Sequence, residues 1–431
     1  MDFTRTAHSV QRTGADLQKW AREQETKVDL SALFTPRQDP MSADVAAQFA
    51  EEWNEDLESM QAFVLEGKKF VKLPEEERGV FHSGDSYVYL CRYFIPADDP
   101  PEDTEGQEDD EPEEDYSCVV VYFWQGRDSS NMGWLTFTFS LQKKFEAMFG
   151  EKLEVLKMQQ QQENLKFMSH FSNGLIIKNG SRRAPKLQPN WTSSPEFYQI
   201  RSNGSPLCRR CIQIRCDSGL LNSSFCYILK VLLCEILVNF PPFYESNTFQ
   251  VPFDPQDRSG IVYVWIGSKS DPDEAKIAEN IVKDLYDPER FSVQILNEGE
   301  EPNNFFWVGL GGRKAYDSDA DFMNHARLFR CSNEKGYFTV SEKCSDFCQD
   351  DLAHDDIMIL DSGDQVFLWM GPRCSEVEVK LSYKSAQVYI QNLRAKQPEK
   401  PRKLFLTIMG KESKRFTRCF HGWSHIKNVP K

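Results

Sequence analysis

Three segments of the chain share one order of apolar and polar positions. Each segment begins with a run of β-branched and aromatic residues that ends in Trp-x-Gly, at Trp124-Gly126, Trp265-Gly267 and Trp369-Gly371. A polar turn follows, and apolar residues then recur with helical spacing. A short β-branched run predicts a strand, and a period near 3.6 residues predicts an amphipathic helix. The chain therefore contains the same strand-turn-helix unit three times.

A second shared mark follows each unit. It is a glutamate with a phenylalanine four residues later, found at Glu163/Phe167, Glu301/Phe305 and Glu412/Phe416. The glutamate follows the tryptophan by 39, 36 and 43 residues, so the repeated element is far longer than a solenoid repeat. We predict a linker at 1–40 and three homologous domains at 41–188, 189–320 and 321–431.

Each unit is predicted to be the second arm of a β-hairpin. The first arms are DSYVYLCRYF, SSFCYILK and DDIMIL, and only the third hairpin has a short turn. In the first domain the hairpin loop 95–117 contains the segment 98–115, which has twelve acidic residues and no basic one. Such a composition cannot bury enough apolar surface to become ordered, so we expect a solvated loop.

The hairpin of the second domain carries an apolar insertion at about 232–250. Hairpin tips are normally polar and exposed, whereas this one is rich in Leu, Val, Phe and Tyr. We expect it to be foreign to the domain, from an unusual splice form or translated noncoding sequence. A loop docked on a neighbouring element and a partner site are the alternatives.

Capping residues in the sequence indicate where several helices begin. A helix over 42–60 is predicted with Ser42 or Asp44 as its cap. In the second domain Asp271, Pro272 and Glu274 supply an N-cap, a first-turn proline and a glutamate, and Ser375 with Glu378 forms a capping box in the third. The helix of the first domain has more bulky apolar residues than one sheet can cover, namely Trp134, Phe137, Phe139, Leu141 and Phe145.

Charge and cysteine content exclude several classes of function. The net charge is −15, but it is concentrated in the acidic loop, so the remainder does not repel an acidic partner. No basic stripe with interleaved aromatic residues is present, which argues against direct nucleic-acid binding. We expect an intracellular protein without a signal peptide or transmembrane segment, whose cysteines are thiols. Three groups approach zinc spacing but lack enough ligands: Cys208/Cys211, Cys344/Cys348, and Cys419/His421/His425.

These residues carry a resemblance to a known family. The three Trp-x-Gly strand ends, the long helix after each and the Glu-x3-Phe marks resemble the gelsolin superfamily of actin-binding proteins, specifically its second half of three domains. The resemblance implies an α/β fold of the α+β type, with three domains that each place a central mixed sheet between a long and a short helix. We expect the chain to correspond to a C-terminal half or a short form of a longer relative.

The resemblance also implies a function. It predicts a cytoskeletal regulator that binds actin filaments or monomers, with barbed-end capping or severing as outcomes, weak calcium dependence and phosphoinositide regulation. The expected location is the cytoplasm and its actin cytoskeleton. The alternative is a non-enzymatic interaction scaffold or transcriptional coregulator, with other protein partners and a nuclear location. No Gly-rich phosphate loop or Ser/His/Asp set indicates an enzyme.

The family's calcium site is implied at one corner of each domain, where an Asp at the first hairpin strand faces a Glu in the first turn of the long helix. Calcium prefers several such oxygen ligands. The third domain has Asp355, Asp356 and Glu378, which we expect to form the one intact site. The others are broken, because Gly84 and Asp85 face Met132 or Gly133, whereas Glu274 faces Phe225. Glu274 and Glu378 also suit a helix N-terminus without metal.

The resemblance places actin contacts on the long helix of the first domain. The candidates are Phe137, Phe139, Leu141 and Phe145, and the alternative for each is ordinary core packing. Basic stretches that could meet phosphoinositide headgroups are Lys68-Lys69, Arg182-Arg183 and Lys400 to Lys403, although solvated surface is the simpler interpretation.

Overall fold

The structure is a computed structural model, and it describes residues 33–94, 117–183, 195–232, 259–303, 305–343 and 346–424. Most of the predicted linker, the acidic loop and the insertion beyond Leu232 lie outside these residues. The chain divides into two compact units. One comprises the described parts of 41–193 and 205–213, and the other those of 1–40, 194–204 and 214–431. The first predicted domain lies in the former unit. The third and most of the second lie in the latter, but 205–213 of the second belongs to the former.

The first repeat is built on a five-stranded mixed sheet. Its strands are β1 (Leu57–Glu66), β2 (Lys69–Lys72), β4 (Ser86–Phe94), β5 (Ser117–Gln125) and β6 (Leu153–Gln159), in the order β2-β1-β4-β5-β6. The β4 and β5 strands form the predicted antiparallel hairpin, and β5 pairs in parallel with β6. A parallel pair needs a crossover connection, which the long helix supplies. Three further strands pair in parallel within this unit: β3 (Val80–His82), β7 (Leu175–Lys178) and β9 (Arg210–Ile214).

The helices of the first repeat cover its two faces. They are α1 (Ala43–Glu55), α2 (Met132–Phe137), α3 (Lys143–Phe149) and α4 (Leu165–Ser169). A π-helical turn, Thr138–Gln142, joins α2 to α3, so the three segments form one long interrupted helix. The hydroxyl of Thr138 donates to the carbonyl of Trp134, and that of Ser140 donates to Thr136. Hydroxyl groups that bond back to position i−4 commonly bend helices, and these occur where the π turn begins.

The second and third repeats have the same plan within the other unit. The second pairs β8 (Glu196–Arg201), β10 (Cys226–Leu232), β11 (Gly260–Ile266) and β12 (Phe291–Asn297), with helices α5 (Pro272–Leu285) and α6 (Phe305–Gly309). The third orders its strands β14-β13-β15-β16-β17, from β13 (Arg327–Ser332), β14 (Thr339–Glu342), β15 (Ile357–Asp361), β16 (Gln365–Met370) and β17 (Lys403–Ile408). Its helices are α7 (Phe322–His325), α8 (Glu376–Lys396) and α9 (Lys414–Thr417). The predicted fold class is confirmed: mixed sheets lie between a long and a short helix.

One local prediction was partly wrong. The helix predicted over 42–60 does begin after an N-cap at Ser42, but it ends at Glu55. The residues from Leu57 onward form β1, which pairs with β2 on one side and with β4 on the other. Pairing with two neighbours outweighs the helical preference of LESM, because tertiary packing decides the state of a short ambiguous segment.

No helix within the described ranges is long and apolar enough to cross a membrane.

The glycine of each Trp-x-Gly motif is required by close packing. A Cβ atom on Gly126, Gly267 or Gly371 would lie 2.3 to 2.4 Å from a backbone carbonyl oxygen. The glycine N–H donates to the backbone carbonyl of Asp85, Phe225 or Asp356, at 3.0, 3.2 and 3.0 Å respectively. The same backbone corner therefore recurs in all three repeats, and it binds the end of the central strand to the start of the hairpin.

This geometry gives a prediction for Gly371→Ala. The new methyl group would overlap the carbonyl oxygen of His354, so the backbone of the third repeat must shift. We expect a loss of unfolding free energy of about 3 kcal/mol, at the upper end for overpacking. Scanning calorimetry measures the change. Arg373→Ala, an exposed neighbour in the same turn, is the control and should be nearly neutral; equal stabilities for the two variants would contradict the account.

Candidate functional site

Each repeat is closed by a hydrogen bond between the two residues that mark it in the sequence. The indole N–H donates to a glutamate carboxylate in Trp124–Glu163 at 2.8 Å, Trp265–Glu301 at 2.9 Å and Trp369–Glu412 at 3.0 Å. Each glutamate also accepts the backbone N–H two residues before it, from Gln161, Gly299 and Gly410. A buried indole needs an acceptor, so this hydrogen bond explains why a tryptophan and a glutamate recur at similar spacing in all three repeats.

In the second repeat the pKa of the Glu301 carboxyl lies below its ordinary value. Burial alone raises the pKa of Glu301, but the N–H of Gly299 and the indole of Trp265 outweigh it and lower the pKa overall. In the first repeat Gln161 adopts a positive φ of 66°, a conformation that glycine supplies in the other two. The phenylalanine of the mark is fully buried at Phe167 and Phe416, whereas in the second repeat Phe306 is buried instead of Phe305.

The first repeat adds a buried cation that sequence reasoning missed. The guanidinium of Arg210 donates from Nη2 at 2.6 Å and from Nε at 2.9 Å to Oε2 of Glu163. Both side chains are fully buried. Arg210 lies 47 residues beyond Glu163, so no local pattern signals the pair.

At the corner of the third repeat the predicted calcium ligands already have partners. Asp356 is buried, and its Oδ1 accepts from both Nε and Nη2 of Arg330 at 2.7 Å. Glu378 forms the predicted capping box with Ser375 through Oε2, and its Oε1 accepts the N–H of Asn333 at 3.2 Å. Asp355 is exposed. Burial raises the pKa of Asp356 even though Arg330 acts against it.

The corner of the second repeat is held by hydrogen bonds and a ring contact. Glu274 is buried, and its Oε1 accepts the N–H of Ser202 at 2.7 Å, the counterpart of the Glu378–Asn333 bond. Phe225 stands where Asp356 stands in the third repeat, and the guanidinium of Arg201 lies 5.0 Å from its ring centroid. A cleft of about 450 Å3 opens here, with Glu274, Asp271, Lys269 and Asp321 in its lining.

The corner of the first repeat has no helix carboxylate. The first turn of α2 contains no acidic residue. Asp85 instead accepts from the hydroxyl of Ser181 and the N–H of Arg182, both at 2.7 Å. Gly84 donates its N–H to the carbonyl of Gly180 at 2.7 Å.

The donor types at the third corner suit calcium, but their present arrangement does not form a ready cage. No group of three His, Cys, Asp or Glu side chains able to hold a metal ion occurs among the residues that the structure describes. Asp356 and Glu378 offer the oxygen ligands that calcium prefers. Arg330 already occupies Oδ1 of Asp356, and both oxygens of Glu378 accept hydrogen bonds.

The long helix of the first repeat exposes an apolar face. Met132, Leu135 and Phe139 are 63%, 45% and 70% exposed, and their i, i+3, i+7 spacing puts them on one side of the helix. We call these three residues the apolar ridge. The amino group of Lys143 lies 5.7 Å from the ring centroid of Phe139.

The four predicted actin contacts divide between this ridge and the core. Phe139 lies on the ridge, whereas Phe137 and Phe145 are buried against the sheet and Leu141 is half-buried beside them. Phe137 and Phe145 are thus corrected to core residues, because the sheet covers that side of the helix. Met132 and Leu135 were not among the residues predicted as contacts. Their spacing relative to Phe139 could have identified them.

The basic stretches differ in what they contact. Arg182 pairs with Glu66 and Glu77, and Arg183 also pairs with Glu66. Lys400 pairs with Asp321, while Arg402 is buried near Asp361. Lys68 and Lys69 are exposed at the turn between β1 and β2.

Comparison with known proteins relates two segments of the chain to one family of repeats. The gelsolin repeat model matches residues 211–306 and 338–417. These two segments match the gelsolin repeat. It is 59% identical to protein flightless-1 of Drosophila melanogaster over 99% of this chain, and 54% identical to the flightless-1 homolog of Homo sapiens over 98%. Gelsolin of Gallus gallus is 29% identical over 94% of this chain and 45% of its own length.

The chain spans 33% of the length of these two flightless-1 relatives. Both matched segments include a Trp-x-Gly corner, with Gly267 in one and Gly371 in the other. The first repeat lies outside the matched segments, and its gelsolin-like character rests on the same strand order, corner and Trp–Glu bond.

The buried Arg210–Glu163 pair can be tested by Arg210→Met. The variant leaves the Glu163 carboxylate buried without its cation, and breaking a buried pair in this way costs about 3 to 5 kcal/mol. Chemical denaturation should show that loss in the unit of the first repeat. Adding Glu163→Gln to the variant should recover part of the stability by removing the unpaired charge. A loss below about 1 kcal/mol for the single variant would show that the pair is not a structural requirement.

Proposed function

We propose that this chain binds actin through the apolar ridge of its first gelsolin repeat and regulates filament assembly, with barbed-end capping or severing as outcomes. The observation that carries the proposal is the exposure of Met132, Leu135 and Phe139 on one helix face. A contiguous exposed apolar patch on a folded unit commonly marks a protein-binding surface.

The ridge distinguishes the first repeat from the other two. The corresponding helix α5 has no large apolar side chain among the exposed residues over its whole length, and α8 has only Val377. Both of those helices bury their apolar side, as expected for an amphipathic helix on a sheet. The additional apolar surface of the first helix therefore serves something other than the core.

Actin is the occupant that the family supports. The long helix of a gelsolin domain is the one that, by the resemblance, enters the cleft between actin subdomains. Lys143 and Lys144 are exposed on the same long helix and suit an acidic partner. The similarity to flightless-1 and gelsolin extends over nearly the whole chain.

Calcium dependence is proposed to be weak and to involve one site. Asp355, Asp356 and Glu378 would hold the ion in the third repeat, which would stabilise the corner between β15 and α8. Glu274 is proposed to act as a structural residue, since its carboxylate accepts the N–H of Ser202. Phosphoinositide headgroups would meet Lys68 and Lys69, the exposed basic pair.

The proposed setting is the cytoplasm and its actin cytoskeleton, and no enzymatic role is proposed. The second candidate function is that of a scaffold that keeps the fold but does not bind actin. It would have other protein partners and a nuclear location. The observation that favours it is that all three corners are already held by the chain's own groups.

The variant Phe139→Asp tests the actin proposal. A charge at the most exposed residue of the ridge should weaken binding of monomeric actin at least about tenfold, because aromatic anchors that become buried dominate such interfaces. Fluorescence titration of labelled actin measures the affinity. The melting temperature should stay unchanged, since the side chain is 70% exposed.

The matched control is Tyr337→Asp, which places the same charge at an aromatic residue 62% exposed in the third repeat. It should bind actin as the native chain does. Native affinity in Phe139→Asp would exclude the ridge as the actin contact. Absence of actin binding in the native chain would favour the scaffold.

A further inference from the structure

The geometry points to Arg330 as a built-in competitor of calcium at the third-repeat corner, and we propose that its guanidinium sets the calcium affinity of the chain. The proposal rests on the proposed function, in which Asp356 and Glu378 are calcium ligands. It adds a residue that is not itself a ligand, and it explains why the dependence on calcium is weak.

The first argument is the contact itself. Arg330 projects from β13 and donates from two nitrogens to one oxygen of Asp356, at the start of β15. The Asp356 side chain is 6% exposed and that of Arg330 is 30% exposed, so the carboxylate is buried while the arginine keeps contact with solvent. A second acceptor, Glu334, holds Nη2 at 2.9 Å. An arginine is protonated at all relevant pH values, so a fixed positive charge always accompanies this carboxylate.

The second argument is a comparison of register within the chain. Arg330 pairs across the sheet with Met358, two residues after Asp356. In the second repeat the equivalent pair is Gln199 with Tyr227, two residues after Phe225. Where the corner lacks its aspartate, the matching strand position thus lacks its arginine. In the second and third repeats, therefore, the two charges are absent together and present together respectively.

In the first repeat other groups bond the corner aspartate. Asp85 keeps the corner carboxylate, and the position that pairs with Tyr87 is Val64, which has no charge. Asp85 is satisfied instead by Ser181 and by the N–H of Arg182. Both retained aspartates are therefore neutralised or bonded by groups of the chain itself. Calcium at the third corner must displace Arg330, or bind beside a like charge that repels it.

The test is a calcium titration of the chain and of Arg330→Gln, the residue that the second repeat has at this register. Removing the competitor should tighten calcium binding at least about tenfold in calorimetry, because a charge-assisted bond no longer has to be broken. Calcium should also raise the melting temperature of Arg330→Gln more than that of the native chain. Arg330→Met gives a second version if the glutamine variant does not fold.

Two further variants make the result specific. Adding Glu378→Gln to Arg330→Gln should abolish the gain, since it removes a charged ligand of the same ion. Arg327→Met is the control, because Arg327 lies on the same strand and pairs with Glu342. It should leave calcium binding as in the native chain.

The outcomes separate this inference from the proposed function. Equal calcium affinity in the native chain and in folded Arg330→Gln would overturn the role of Arg330 while leaving the site in place. No calcium binding in either protein would overturn both the competitor and the site. Neither result would affect actin binding through the apolar ridge, which is measured separately.

Discussion

The hydrogen bond from a buried tryptophan indole to a distant glutamate is the constraint on which each repeat depends. In each repeat it links the end of the central strand to the segment that follows the crossover helix and the parallel strand. The donor–acceptor distances in the three repeats are 2.8, 2.9 and 3.0 Å. The glycine of the Trp-x-Gly motif has no Cβ atom, so the hairpin backbone packs against it more closely than any side chain would permit. Together these contacts fix the corner between strand and helix, and thereby the direction in which the long helix leaves the sheet.

The corners show how one backbone arrangement can hold different charges. The proposed calcium site lies at this corner, and here the chain supplies its own positive or hydrogen-bonding groups. Arg330 does so with a guanidinium, Asp85 receives a hydroxyl and a backbone N–H, and Phe225 replaces charge with an aromatic ring under Arg201. A corner held internally in this way gains less from a metal ion, because the ion must first displace a partner.

The repeat, the fold class and most strand positions could be predicted from the sequence because they follow local rules. Runs of β-branched and aromatic residues identify β5, β11 and β16, and the spacing of Ser375 and Glu378 identifies the capping box. Long-range partners were not readable. Arg210 and Arg330 lie 47 and 26 residues from the carboxylates they bind, and only the folded sheet brings them together. The assignment of Phe137 and Phe145 as contacts failed for a related reason, since the π turn and the sheet decide which side of the helix is covered.

We propose that the chain binds actin through a preformed apolar ridge and that calcium has only a secondary part. Co-sedimentation with filamentous actin, in calcium and in a calcium chelator, tests both points. We expect binding under both conditions, with affinities that differ by less than about tenfold, or 1.4 kcal/mol. Binding that appears only with calcium, or that is absent in both conditions, would contradict it.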